Sequence, residues 1–289
     1  MTFQKPGYLF IFLLIIVLFS CEKDVTNIKL PEFIQKLVIS SFISPSDTVS
    51  YINISSNRRI YGELGVDEQV GKLTAFLSDN TREVSLDTSK SGFVFRPKDM
   101  LIEEGKEFKL RVLGDKGFSV FASCIIPEKM DFFLEADTFS IPVDYYWSSD
   151  RRRIDVRLTI HDIQGKDNYY RILGKGVGYY SDPYTHESHK GDNIIRFENE
   201  FFSDKGVDGK EIIQESNHGL NYFFDHDSAF LVFYLYNTDK SYYQYHKSLN
   251  EYNGGDNPFE EVSPIFSNVT GGLGVFAAYT VDSLVLRLK

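Results

Sequence analysis

Cysteine is nearly absent from this 289-residue chain, which has only Cys21 and Cys124. Two are too few for a disulfide framework, and once Cys21 is set aside for the role argued below, Cys124 has no partner. Basic charge is also short. Lys and Arg number 31 against 41 Asp and Glu, giving a net charge of −10 and a pI near 5.1. No basic stripe is available for phosphates, so nucleic acid is excluded as a partner. The cluster Arg151-Arg152-Arg153 is flanked by Asp150 and Asp155 and reads as a solvated turn. After residue 20 no apolar run is long enough to cross a bilayer. No self-similar period recurs, which excludes a solenoid or propeller.

The most informative stretch is at the start. Lys5 supplies a positive n-region, residues 8–19 a short apolar h-region, and Leu18-Phe19-Ser20-Cys21 a lipobox-like end with a small residue before the cysteine. The expectation is a lipoprotein signal over 1–20 and acylation at Cys21. Each buried methylene contributes roughly 0.8 kcal/mol, so several acyl chains hold a protein on a membrane durably. Glu22, Lys23 and Asp24 follow the cysteine, in a pattern resembling an export signal to the cell surface. Residues 21–35 then read as a polar tether.

Aromatics make up 15% of the chain, with 25 Phe and 18 Tyr but one Trp. Flat rings suit a pleated, half-buried surface. Alternating runs predict strands at 36–43, 49–54, 73–78, 83–86, 108–113 and 118–126, with hairpin turns at Asp79-Asn80 and between Gly114 and Gly117. Further strands are predicted at 154–160, 169–173, 194–202, 211–214, 230–236, 275–279 and 284–288. In the run 154–160, Ile154, Val156, Leu158 and Ile160 share one face. One helix is predicted, capped by Thr238 or Asp239, with Tyr242, Tyr245, His246, Leu249 and Tyr252 at helical spacing before Gly254-Gly255. The fold class is therefore mainly β. An N-terminal β-sandwich over 36–128, Ig-like or prealbumin-like, precedes a larger antiparallel β-sandwich or barrel-like domain over 129–289 that carries the helix.

Candidate chemistry is sparse. His186, His189, Asp182 and Asp192 form the densest group of metal-ligand types, but in a polar stretch over 181–193 that points them at solvent. Asp225-His226-Asp227 could orient an imidazole, yet no serine sits in a nucleophile elbow, and Ser228 reads as a strand start. Glu103-Glu104 and Glu260-Glu261 read as surface charge, because adjacency does not place two carboxylates across a cleft. The loop Asp204 to Asp208 is acidic but matches no calcium motif. Cys124 lies in an apolar strand and reads as core. Gly271, Gly272 and Gly274 bracket a strand start and allow tight bending or close backbone approach, and Asn257-Pro258 marks a turn that tucks Phe259 under the sheet. No catalytic, cofactor or metal residue is assigned.

Asn168-Tyr169-Tyr170-Arg171, the loop Phe202 to Gly209, Asn257-Pro258-Phe259-Glu260-Glu261, the stretch Ser267 to Tyr279 and the hairpin end Ile125-Ile126-Pro127 together resemble domain-of-unknown-function family 4249. The resemblance spans essentially the whole mature chain. It implies a lipoprotein of Bacteroidetes, encoded beside TonB-dependent outer-membrane receptors, with no established activity. The expected function is that of an outer-membrane, lipid-anchored, non-enzymatic accessory or cargo-binding partner of a TonB-dependent transporter. The rival readings are a surface glycan or peptide hydrolase and an adhesin or structural module of the envelope.

Overall fold

Strand-forming periodicity becomes sheet structure wherever a strand can bury one face. The computed structural model describes residues 32–58, 70–130, 132–141, 151–182, 184–219, 228–252 and 263–288. Contacts divide the chain into Met1–Ile34 and Gln35–Lys289, and the second unit carries every strand among the described residues. Residues 1–31, with the expected signal and Cys21, lie outside the description, as do 225–227 and 257–261. Among the described residues no helix is long and apolar enough to cross a membrane.

The first half contains β1 (Leu37–Ile43), β2 (Ser50–Ser56), β3 (Leu73–Ser78), β4 (Glu83–Ser85), β5 (Asp87–Ser89), β6 (Gly92–Phe95), β7 (Glu107–Gly114) and β8 (Ser119–Ile125). In β8 every second residue is buried, as a half-buried strand requires. The sheet β4-β3-β7-β8 faces β1, β2 and β6 across a core that includes Leu37, Ile52, Phe93, Phe108, Val112 and Cys124. Both predicted hairpins form. Asn80 takes a positive φ of 69° while the Asp79 carboxylate accepts from the backbone N–H groups of Thr81 and Arg82, each at 3.0 Å.

The second half contains β9 (Phe132–Ile141), β10 (Arg151–His161), β11 (Tyr169–Ser181), β12 (Ser188–Ile195), β13 (Phe201–Ser203), β14 (Glu211–Gly219), β15 (Ser228–Thr238), α1 (Lys240–Glu251) and β16 (Leu273–Arg287). The sheet β14-β10-β9 packs on β11 and β15 through Val156, Leu158, Ile160, Tyr170, Ile172, Leu231 and Phe233. Val156, Leu158 and Ile160, predicted to share a face of β10, are thus core, and Ser228 does open a strand. The arginine cluster at 151–153 does not form a turn. It begins β10, paired with β9, because flanking aspartates do not stop a strand with partners on both sides.

β16 joins the two halves. Its first residues pair in parallel with β1, Val38 opposite Leu273 through Ile43 opposite Ala278, and its remainder pairs antiparallel with β15. The long sheet therefore runs β12-β11-β15-β16-β1-β2-β6-β5, with β13 also on β11. Phe276 and Ala278 belong to the first core, whereas Val275 and Ala277 pack under α1, so all four are fully buried. The glycines at its start allow the close approach expected of them. A Cβ on Gly274 (φ 97°) would lie 2.0 Å from the Ile39 carbonyl oxygen, and one on Gly271 2.3 Å from that of Ser119.

The mainly β class stands, with several antiparallel sheets and, among the described residues, one helix and no closed barrel. Three strands are unforeseen, β5, β6 and β9, and of β12 only the end at Ile194 and Ile195 falls in a predicted run. The expected strands at 275–279 and 284–288 are one, and that at 194–202 divides between β12 and β13. The polar stretch over 181–193 is not all loop, since β12 takes its second half as a sheet edge where polar side chains meet water.

Candidate functional site

The chain leaves β8 at Ile125-Ile126-Pro127 and crosses to β9, and this crossing is fastened. The Glu128 carbonyl accepts from Asn237 Nδ2 at 2.8 Å and Thr280 Oγ1 at 3.1 Å. Its carboxylate meets Lys166 at 2.6 Å, and Lys129 meets Asp282 at 3.2 Å. Beside the crossing lies an open groove of about 640 Å³, walled by the end of the β7–β8 hairpin, the loop between β10 and β11, and the turn from β15 into α1. Glu107, Ile125 and Pro127 line one side and Asp167, Asn168 and Tyr169 another, with Asp239 and Lys240 at the end.

Asp239 begins α1. Its carboxylate accepts from the Tyr242 N–H at 2.7 Å, the capping role expected of it, while burial pushes it up to about 7. The helix turns Tyr242, Tyr245 and His246 onto Phe42, Phe201 and Tyr279. Of this aromatic stripe Tyr242 is buried and Tyr245 and His246 are half-buried against the sheet, while Leu249 and Tyr252 are exposed. Burial holds His246 down to about 4. Arg171 donates to Tyr242 Oη at 2.8 Å and to Glu200 at 2.8 Å, anchoring α1 to β11.

Asp162, Asp204 and Asp208, 42 or more residues apart for the first and the others, converge with ligand atoms within 4.8 Å of one another. Most of their oxygens already accept protein hydrogen bonds. Tyr170 Oη and Asn168 Nδ2 donate to Asp162 Oδ1, the Gly209 N–H to Asp162 Oδ2 at 2.8 Å, the Gly165 N–H to Asp208 at 2.7 Å, and the Asn168 N–H to Asp204 at 2.9 Å. Burial raises Asp204, and the neighbouring carboxylates add to the rise. The arrangement is a latch between two loops, and protein donors satisfy it.

The other sequence candidates disperse. Asp182 accepts from the N–H groups of Tyr184 and Thr185 and caps its own turn, and Asp192 pairs with Lys175 at 2.8 Å. His186 is exposed in that turn, and neither it nor His189 joins a metal-ligating group among the described residues. Glu104 accepts from the Lys129 N–H at 2.9 Å, and Glu103 pairs with Lys106. Cys124 is core, its thiol pushed well up by burial.

A second surface was not foreseen. On the face of β11 that meets α1, the rows Ile194–Lys175–Val232–Val285, Asp192–Val177–Phe230–Arg287 and Leu173–Tyr234–Ser283 lie side by side, with Lys175 and Asp192 paired at 2.8 Å among the apolar side chains. Ile194 is 65% and Val285 62% exposed, and Val177, Phe230, Val232, Leu173 and Tyr234 are half-buried. The only sequence signal was the alternation of β15, in which both faces are apolar.

A family model described as Domain of unknown function (DUF4249) matches residues 23–284, and the chain belongs to that family. No curated protein matches. Among solved structures the chain is similar to one described as the X-ray structure of Northeast Structural Genomics Consortium target SoR45. The likeness has 12% identity and a TM-score of 0.23, and covers 38% of this chain and 75% of that one.

Proposed function

We propose that this protein is a lipoprotein held on the outer membrane by acyl chains at Cys21, a non-enzymatic accessory or cargo-binding partner of a TonB-dependent transporter. The observation that carries the reading is the half-exposed apolar face of β12, β11, β15 and β16. Contiguous apolar area of this kind marks an interaction site on a soluble domain. The groove beside the crossing supplies a place for cargo, being concave and walled by segments of both halves of the sheet structure.

The test is capture of the full chain from mild detergent. A large β-barrel receptor should accompany it, and Ile194→Asp with Val285→Asp should release that receptor while leaving the free energy of unfolding within about 0.5 kcal/mol per substitution, as for surface changes. Recovery of the chain alone removes the accessory reading. Mass spectrometry should find Cys21 acylated at the mature amino terminus, and an unmodified secreted form would refute the anchor.

A further inference from the structure

We infer that the groove beside the β8–β9 crossing binds an extended peptide segment, which adds to the open edge of β8 as one more antiparallel strand. The inference rests on the cargo-binding part of the proposed function. β8 ends its sheet, with β7 on one side only. In such a pair alternate residues turn their backbone groups toward the partner strand and away from it. The phase is fixed at both ends. Phe121 exchanges two backbone bonds with Thr270, at 3.0 and 2.8 Å on the side away from β7, whereas Ile126 donates to the Lys106 carbonyl at 3.0 Å on the near side. Phe121, Ser123 and Ile125 therefore present their N–H and C=O groups outward.

The protein covers most of that edge itself. Beyond the bridge at Thr270, the Ser123 carbonyl accepts from Asn268 Nδ2 at 3.1 Å. The covering segment then leaves β8, and the Phe266 N–H donates to Ser248 Oγ on α1 at 2.9 Å. Past that departure the Ile125 N–H and C=O have no hydrogen-bond partner among the described residues, and Ser123 and Ile125 both line the groove.

Free backbone groups on a strand edge are a template for another chain, which proteins commonly discourage with a charged side chain or a proline at that position. Here the position holds Ile125, 58% exposed. A donor and an acceptor on one residue are matched by the N–H and C=O of one residue of an antiparallel partner, which an extended peptide offers at every second position. The side chain opposite Ile125 would meet it on the outer face, where a β-branched or aromatic residue adds to the pairing. Ile126, Pro127 and Ile163 extend the apolar lining, and about 640 Å³ leaves room for the flanking residues.

Three acetylated and amidated pentapeptides of sequence Ser-Val-Thr-Val-Ser are titrated by calorimetry into the full chain in mild detergent: one unmodified, one N-methylated at both valines, and one N-methylated at the threonine. The unmodified peptide should bind saturably and slow amide exchange at Ile125. One methylated peptide should match it within about threefold and the other should bind at least about tenfold more weakly, because alternate N–H groups face the edge. Ile125→Pro removes a donor that bonds nothing within the fold, at an edge position where proline is tolerated, and should weaken the unmodified peptide about tenfold. Ile125→Val keeps the donor and should keep the affinity. Equal affinities of the two methylated peptides, full affinity in a folded Ile125→Pro, or no saturable binding overturns the inference. The methylated pair decides on the parent chain alone should Ile125→Pro fail to fold. Receptor capture is scored apart: a chain that captures a receptor but ignores the peptides keeps the docking role and loses this one, and the opposite outcome does the reverse.

Discussion

The two packed halves of the protein bury different chemistry. The core between β1, β2, β6 and β3, β7, β8 is built from aliphatic and aromatic side chains, among them Ile39, Leu77, Phe95, Phe108 and Val120. Around the second core, buried polar groups hold the loops: Asn168, Asp204, Ser216, Asn237, Thr238 and Thr280. Ser216 Oγ reaches across to the Arg196 carbonyl at 2.8 Å, and Thr238 Oγ1 to that of Tyr169 at 3.1 Å. The first half also buries polar side chains, at Ser41, Ser44 and Ser50, but the second half buries more of them, and there directional bonds fix the loop geometry, including one wall of the groove. The two halves should therefore fail differently.

Phe108→Ala should give the largest effect. Its ring is fully buried, and truncation leaves a cavity that costs about 3–5 kcal/mol. Urea unfolding should show the loss, equal at about pH 5 and about pH 8 because no charge is involved. A pH-dependent loss would mean that the apolar half depends on ionisation elsewhere.

Asp239 gives the next effect. Its folded pKa is raised from 3.8 to about 7, so the folded state holds the proton more tightly than the unfolded one. Its contribution is then fully present below 3.8 and declines as pH rises toward 7, by up to about 4 kcal/mol at 1.36 kcal/mol per unit. Asp239→Asn keeps a side-chain cap and should flatten this dependence, leaving the variant more stable than the parent near neutrality. His246 acts with the opposite sign: lowered from 6.5 to about 4, it holds stability that is lost as pH falls through that window. His246→Phe should remove the acid loss. Parallel pH profiles of parent and variants would break both attributions.

Asn168→Ala should cost less, about 2 kcal/mol, by stripping donors from Asp162 and from the Ile163 carbonyl. The loss should be confined to the second half, visible as faster amide exchange over the loops at 163–168 and 204–209. Millimolar calcium should leave the parent's thermal midpoint unchanged, since protein donors already serve these carboxylates. A calcium-dependent rise would turn the latch into a metal seat.

These contrasts were only partly legible in the sequence. Strict alternation revealed the buried face of β10, and Asp239 with its aromatic stripe revealed α1, because both signals are local. β16 was read as two strands because its pairing partner changes midway, from β1 to β15. There Thr280 and Asp282 interrupt the apolar pattern to meet Glu128 and Lys129 across the crossing. β12 was hidden for the converse reason, since an edge strand facing water has little need of apolar residues. The aspartate latch draws on two loops far apart in sequence and the groove on residues from Gly105 to Lys240, so no spacing rule could have assembled them. The exposed sheet face depends on strand register, which the turns fix and composition does not.

The smallest predicted effect tests the contrast from inside the apolar half. Ser41 sits on the buried face of β1 between Ile39 and Ile43, is 2% exposed, and its Oγ is one of two buried side-chain oxygens without a hydrogen-bond partner among the described residues. Its neighbour on β16 is Phe276, which offers no acceptor from its side chain. A hydroxyl in that position gives up its hydration and gains nothing, so Ser41→Ala should stabilise the protein by about 1 kcal/mol. The same deletion at Ser216, whose Oγ has a partner, should destabilise it by a similar amount. Chemical denaturation of the two variants under one set of conditions gives both signs at once. If Ser41→Ala also destabilises, the hydroxyl has a partner such as a trapped water, and the first core is not the dry counterpart of the second.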